Sequence, residues 1–324
     1  MKKVVVFSHL DAEIITRLQK NYQVSLIDPK KGDVKAQLIQ NIQDADGLIG
    51  AGRRLDAAIL QHAQQLKVIS SVSVGYDNYD LNYLNEQGIY LCHTPHVLTE
   101  TTADLAFTLL MSAARKVPHL DQWTKTGQWT RTVAAPQFGQ DIFGKTLGII
   151  GLGNIGAAIA RRGFYGFNMN ILYHSRREKP ELAQGLNAHY CDLDTLLQQS
   201  DFVVLAVDLN QSSTALMGQA QFEQMQAHAV FVNISRGSVV DEDALIQTLK
   251  TNQIFAAGLD VYQKEPLQES ALFDLPNVVT LPHVGSATQA TRTKMAELAY
   301  QNLIDGLEGR VPRYAVNAQY CKNG

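Results

Sequence analysis

Short apolar runs alternate along the chain with longer stretches whose apolar residues recur at helical spacing. KVVVF (3–7), YQVSLI (22–27), GLIG (47–50), KVISSV (67–72) and IYLC (89–92) are of strand length. Between them lie helical patterns carrying Ile14, Ile15 and Leu18, then Ala36, Leu38 and Ile39, then Ala57, Ile59 and Leu60. Runs that are apolar throughout predict strands buried on both faces. Strands separated by helices predict a parallel sheet covered on both sides.

LTETTADLAFTLLMSAARK (98–116) predicts a long helix, with Thr99 suited to the N-cap and Glu100 to the first turn. Ala103, Ala106, Phe107, Leu110 and Ala114 form its core-facing stripe. The alternation then restarts, with strand-like runs at 145–151, 170–173, 201–207, 229–235, 254–261 and 277–282, and a final helix over 288–309. Two successive β/α series predict an α/β protein of two doubly wound parallel-sheet domains with a cleft between them.

Composition narrows the function without naming it. Hydrophobic residues make up 45% of the 324 and charged residues 18%, as in globular proteins. A net charge of -3 advertises no surface for nucleic acid, although a local pocket can still attract a small anion. The apolar run at 4–7 is too short for a signal peptide or a membrane span, so no membrane partner is expected. Cys92, Cys191 and Cys321 are odd in number and widely spaced, which fits a reducing, cytoplasmic setting without disulfides. Cys92, His93 and His96 do not make a standard zinc pattern, and no metal is expected. Cys191 with His189 lacks an orienting group for a thiol nucleophile.

The sharpest local signal is TLGIIGLGNIGAAIARR (146–162), which contains Gly151, Gly153, Asn154, Ile155 and Gly156 in a GxGxxG turn. The motif alone is weak, but here a strand leads in and a helix leads out, as a dinucleotide site requires. The first glycine permits the tight turn, the second admits a pyrophosphate, and the third lets helix and sheet pack closely. The helix N-terminus favours the anion. Where such a site usually carries an acidic residue for the ribose, the chain reads His174, Ser175, Arg176 and Arg177. Arginine pairs with a 2′-phosphate that a carboxylate would repel. The loop therefore predicts NADPH, with NADH the weaker cofactor, against the alternative of a solvated basic loop.

Arg236, Glu265 and His283 each lie near the end of a later apolar strand, where open α/β sheets place their ligands. Reducing a carbonyl by hydride creates an alkoxide that needs a proton, and His is the natural donor near neutral pH. A carboxylate would orient the imidazole, and Arg would hold a substrate carboxylate and polarise the carbonyl. Nothing in the spacing brings the three together. Arg53 and Arg54 follow another strand end and suit either an anionic substrate or solvent.

VISSVSVGYDNYDL, GLGNIG, VNISRGSVVDEDAL, AAGLDVYQKEPL and LPHVGSAT together resemble the D-isomer-specific 2-hydroxyacid dehydrogenases over nearly the whole chain. HTPHVLTETTAD, GFNMNILYHSRR and YCDLDTLLQQSDF narrow the resemblance to members that reduce glyoxylate, hydroxypyruvate and 2-ketogluconate. It implies two Rossmann-like domains with the active site in the cleft. Residues 1–100 and 287–324 would form a flavodoxin-like substrate domain, and 101–286 the NAD(P)-binding domain. Arg236 would orient the substrate, His283 would act as acid and base, and Glu265 would support it. The backbone of Val74, Gly75 and Tyr76 would take the substrate carboxylate. Thr102, Val207, Ile234, Asp260, His283 and Gly285 would line the cofactor, with Asp260 on the carboxamide. A small 2-keto acid is the expected substrate and a homodimer the expected assembly, with Trp123 and Trp129 suited either to its interface or to the core.

Two positions depart from the pattern. Val207-Asp208-Leu209 stands where relatives commonly have a proline followed by leucine, and VAAPQFGQDIFGKT (133–146) lacks the tryptophan that some relatives send toward a neighbouring active site. A non-catalytic, dinucleotide-sensing corepressor-like scaffold is the rival reading, disfavoured by retention of Arg236, Glu265 and His283 together. A formate-type enzyme would carry Gln at the place of Glu265.

Overall fold

The computed structural model describes residues 1–321. They fall into two compact units, Met1–Leu98 with the chain from Thr288 onward, and Thr99–Ala287. In the first unit, β1 (Lys3–Val6), β2 (Gln23–Leu26), β3 (Gly47–Gly50), β4 (Val68–Ser71) and β5 (Tyr90–Cys92) alternate with α1 (Ala12–Asn21), α2 (Val34–Ile42), α3 (Ala57–Leu60) and α4 (Leu81–Gln87). Among the described residues the sheet has five strands, all parallel, in the order β2-β1-β3-β4-β5. β3 and β4 are buried along their whole length, whereas the edge strand β2 is not, as expected where helices cover both faces.

The second unit opens with α5 (Thr99–Ala114) and α6 (Val117–Lys125). Thr99, expected as an N-cap, is the first helical residue instead. The buried stripe of α5 includes Ala103, Ala106, Phe107, Leu110 and Ala114, whose mostly small side chains let the helix lie close to the sheet. Lys116, at φ 52°, breaks the helix path before α6.

The second sheet follows. β6 (Thr146–Ile150), α7 (Asn154–Phe167), β7 (Asn170–His174), α8 (Pro180–Ala183), β8 (Ala188–Tyr190), α9 (Leu193–Gln199) and β9 (Phe202–Leu205) come first. α10 (Gln219–Gln224), β10 (Val230–Asn233), α11 (Glu242–Lys250), β11 (Ala256–Leu259) and β12 (Val278–Thr280) complete it. Its seven described strands are parallel, in the order β12-β11-β10-β9-β6-β7-β8. Strand order reverses between β6 and β9, the switch point at which doubly wound sheets open a ligand crevice. β8 has no counterpart among the apolar runs: it is a three-residue edge strand, mostly exposed.

The chain then returns to the first unit as α12 (Gln289–Leu307), capped by the Thr288 side chain. Ser70 Oγ donates to Ala299 O at 2.7 Å, and Asn302 Nδ2 donates to His93 O at 3.1 Å, so the returning segment is tied to β4 and to the exit of β5. Beyond it, buried Asn317 accepts from Leu91 N and donates to Ile89 O, satisfying backbone groups at the sheet edge. No described helix is long and apolar enough to cross a membrane.

Candidate active site

The glycine turn lies where β6 meets α7, at the switch point of the second sheet. Gly151 has φ +103°, and a Cβ there would stand 2.4 Å from Ala206 O and 2.8 Å from Val207 Cγ1. A Cβ on Gly156 would stand 2.2 Å from Gly151 O, so the helix can approach its own turn only with glycine there. Gly153, the residue before the helix, has nothing within 4 Å of its missing Cβ. That open space beside a helix N-terminus fits a dinucleotide pyrophosphate. Asn154 opens α7, and Ile155 packs partly buried against the core below. Val207 lies beyond the end of β9 against Gly151, and Asp208 beside it is exposed.

Downstream, β7 ends at His174, and Ser175, Arg176 and Arg177 form the loop after it. His174 Nδ1 lies 3.1 Å from Cys191 O, and Ser175 Oγ donates to Arg177 O at 2.6 Å. Both arginines are exposed.

The second unit also gathers its three strand-end candidates. His283 Nδ1 lies 2.7 Å from Glu265 Oε2, and Glu265 Oε1 accepts from Tyr262 N at 3.0 Å. Burial pushes the Glu265 carboxyl up, but the His283 hydrogen bond and charge, the Tyr262 amide and the charge of Arg236 outweigh it, leaving the pKa below the usual carboxylate value. An ionised carboxylate can only accept, so the His283 proton sits on Nδ1 and Nε2 faces elsewhere. Nε2 has no hydrogen-bond partner among the described residues, and the His283 side chain is half exposed. Arg236 Nη1 donates to Ser235 O at 2.8 Å, and its own carbonyl accepts from Asn233 Nδ2 at 3.1 Å.

His283 adopts the left-handed conformation, φ 53°, which costs a non-glycine residue energy and must be held by its surroundings. Asp260 does much of the holding. Its Oδ1 accepts from Val284 N at 2.7 Å and its Oδ2 from Gly285 N at 2.8 Å. Asp260 is buried; desolvation raises its pKa against the pull of these amides. Each of its oxygens thus accepts one amide of the His283 loop, and a carboxylate oxygen can accept a second donor. From the other side, the buried Tyr262 hydroxyl donates to Leu281 O at 2.9 Å, and burial pushes its pKa well up, so it keeps its proton. Thr102 on α5 is buried next to Gly285, and Ile234 is buried just beyond β10. These supports on the His283 loop were not legible in the sequence, because each joins residues about twenty positions apart.

In the first unit, Val74, Gly75 and Tyr76 form the loop after β4. Val74 O lies 2.9 Å from His93 Nδ1, Gly75 O accepts from Ser73 Oγ at 2.5 Å, and the Tyr76 ring meets His93 edge-on at 5.7 Å. The carbonyls of Val74 and Gly75 thus have side-chain partners. Arg53 Nε donates to Phe7 O at 2.5 Å and lines a cavity of about 550 Å³ with Ser8, His9 and Lys31. Arg54 is exposed and pairs with Asp56 at 3.3 Å.

A parallel α/β domain with a dinucleotide turn at its switch point, and a His–carboxylate pair carried by the same domain, has the make-up of a nicotinamide-dependent dehydrogenase. Residues 107–285 match the D-isomer specific 2-hydroxyacid dehydrogenase NAD-binding domain. The chain belongs to the D-isomer-specific 2-hydroxyacid dehydrogenases and is an NAD(P)-dependent reductase of 2-keto acids. It is 46% identical over 317 residues to glyoxylate/hydroxypyruvate reductase B of Klebsiella pneumoniae subsp. pneumoniae, covering 98% of both chains. The TT0316 protein of Thermus thermophilus is 38% identical with a TM-score of 0.86, over 97% of this chain and 99% of that one. The NADPH-dependent glyoxylate/hydroxypyruvate reductase of Sinorhizobium meliloti, in complex with NADP and malonate, is 31% identical with a TM-score of 0.86, over 98% of this chain and 97% of that one.

Proposed function

We propose that this protein is an NADPH-preferring reductase of glyoxylate, hydroxypyruvate and 2-ketogluconate, forming the D-2-hydroxy acid where the product is chiral. The observation that carries this reading is the Glu265–His283 pair, with Nδ1 committed to the carboxylate and Nε2 without a hydrogen-bond partner among the described residues. The arginines after β7 supply the cofactor preference, and the relatives that reduce glyoxylate and hydroxypyruvate support the substrate class.

Gly153 and Asn154 would lie against the pyrophosphate, in the turn that Gly151 and Gly156 allow, and Ser175, Arg176 and Arg177 would hold the 2′-phosphate. Thr102, Ile234 and Gly285 would border the nicotinamide. When bound there, NADPH supplies hydride to the keto carbon. His283 Nε2 delivers a proton to the carbonyl oxygen as its bond to carbon becomes single, and Glu265 fixes the ring and stabilises its protonated form. Arg236 holds the substrate carboxylate and polarises the carbonyl. The unit of Met1–Leu98 with the returning C-terminus would bind substrate, through the amides of Val74, Gly75 and Tyr76.

A homodimer is part of the proposal. Val117, Trp129, Val133, Phe138 and Phe143 expose apolar side chains within one stretch, and Trp129, 60% exposed, is no core anchor. Large apolar side chains left exposed together in one stretch of chain suit burial against a second copy.

The test is steady-state kcat/KM for NADPH and NADH with each of the three acids, repeated for His283→Ala. NADPH should win by about tenfold or more, equivalent to about 1.4 kcal/mol. His283→Ala should lose most of kcat and keep its NADPH affinity. Equal use of both cofactors would remove the role of the arginines, and near-wild-type turnover of His283→Ala would remove His283 from the mechanism.

A further inference from the structure

The loop that follows β7 is pinned at both ends by tyrosine hydroxyls from two neighbouring strands. At its start, Tyr190 OH on β8 donates to Ser175 O at 3.2 Å. At its end, Lys179 N donates to Tyr173 OH on β7 at 3.0 Å. Between these points, Ser175 Oγ reaches across to Arg177 O at 2.6 Å. The rings that carry the hydroxyls support one another. Tyr173 and Tyr190 lie 5.5 Å apart at 55°, and the His174 ring lies nearly parallel to Tyr190, at 13° and 6.4 Å. Tyr173 is buried at 1% exposure, so one pin belongs to the core, while Tyr190, at 42%, stands on the edge strand.

We infer that Tyr190 is a positioning residue for cofactor selectivity, holding the backbone that presents Arg176 and Arg177 to the 2′-phosphate of NADPH. The inference rests on the proposed reading that these arginines meet that phosphate.

The physical argument is preorganisation. An exposed loop must be ordered when its arginines engage a phosphate, and that entropy is subtracted from the affinity. A loop already held by hydrogen bonds loses less. Its arginines also start nearer to the forked geometry that a phosphate requires. NADH lacks the 2′-phosphate, so its binding does not depend on where the two guanidinium groups lie. Tyr190 should therefore act on one cofactor and leave the other alone, which a residue serving only the fold cannot do.

Tyr190→Phe keeps the ring and its stacking and removes only the hydroxyl. The experiment measures kcat and KM with NADPH and with NADH for wild type, Tyr190→Phe and the Arg176→Ala/Arg177→Ala double variant, with the melting temperature of each. For Tyr190→Phe, KM for NADPH should rise about fivefold, the weight of one ordinary hydrogen bond. Its kcat, its kcat/KM with NADH and its melting temperature should stay at wild-type values. If the double variant loses the NADPH preference while Tyr190→Phe keeps it, the positioning role is overturned and the reading of the arginines stands. Equal losses with both cofactors would make Tyr190 a residue of the fold alone and also overturn the inference. If the double variant keeps a full NADPH preference, the reading of the arginines fails and the inference falls with it.

Discussion

Glu265 Oε2 accepts a hydrogen bond from His283 Nδ1 at 2.7 Å, across eighteen residues of sequence and from a histidine whose backbone is left-handed. The carboxylate thereby fixes which ring nitrogen is available for proton transfer. It also favours the protonated ring electrostatically.

Glu265→Gln should therefore lower kcat with little change in KM, because an amide can turn either its oxygen or its NH2 toward Nδ1 and no longer fixes which ring nitrogen carries the proton. Steady-state kinetics of the variant check this, and a wild-type kcat would mean that Glu265 does not act through His283.

The same carboxylate makes a stability prediction in acid. Its folded pKa lies below its ordinary value, so its contribution is present above the unfolded pKa, about 4.3, and is lost as pH falls through the folded one. Denaturant unfolding of wild type and Glu265→Gln should differ most near neutrality and converge in strong acid. A gap independent of pH would show that ionisation of Glu265 contributes nothing to stability.

Asp260 tests how His283 is held in place. Asp260→Ala leaves the amides of Val284 and Gly285 without their carboxylate inside a buried site. Stability should fall by about 2–4 kcal/mol, the scale of losing charge-assisted bonds to buried donors. kcat should fall as well, because the backbone of His283 is no longer constrained. Asp260→Asn should be intermediate, since an amide oxygen can serve only part of this claw. Thermal unfolding and turnover of both variants check the ordering.

The glycine turn offers a contrast between fold and ligand. Gly156→Ala places a methyl group 2.2 Å from the backbone oxygen of Gly151, and should cost about 1–3 kcal/mol of stability. Gly153→Ala meets nothing within 4 Å, so its melting temperature should stay near wild type while cofactor affinity drops. Dinucleotide titration alongside differential scanning fluorimetry separates the two. A Gly153→Ala variant that binds cofactor normally would place the pyrophosphate elsewhere.

Local features were readable from the chain alone. The buried strands announce themselves as uninterrupted apolar runs, and the dinucleotide turn is completed within a few residues by glycines whose lack of a side chain is itself the signal. The arginines after β7 are equally local, and so is the helical stripe of α5.

Tertiary structure decided everything that depends on distant residues meeting. β8 left no apolar trace because it is a short, exposed edge strand, so the Tyr190 hydroxyl that pins the basic loop was invisible. The clasp of Asp260 on the amides of Val284 and Gly285 joins residues more than twenty positions apart and has no local signal. The left-handed backbone of His283 has no sequence signature, because few non-glycine residues adopt it and the amide contacts that hold it come from Asp260, distant in the chain. Periodicity reports which face of an element is buried; only the folded chain reports which buried carboxylate, hydroxyl or amide each strand end finds there.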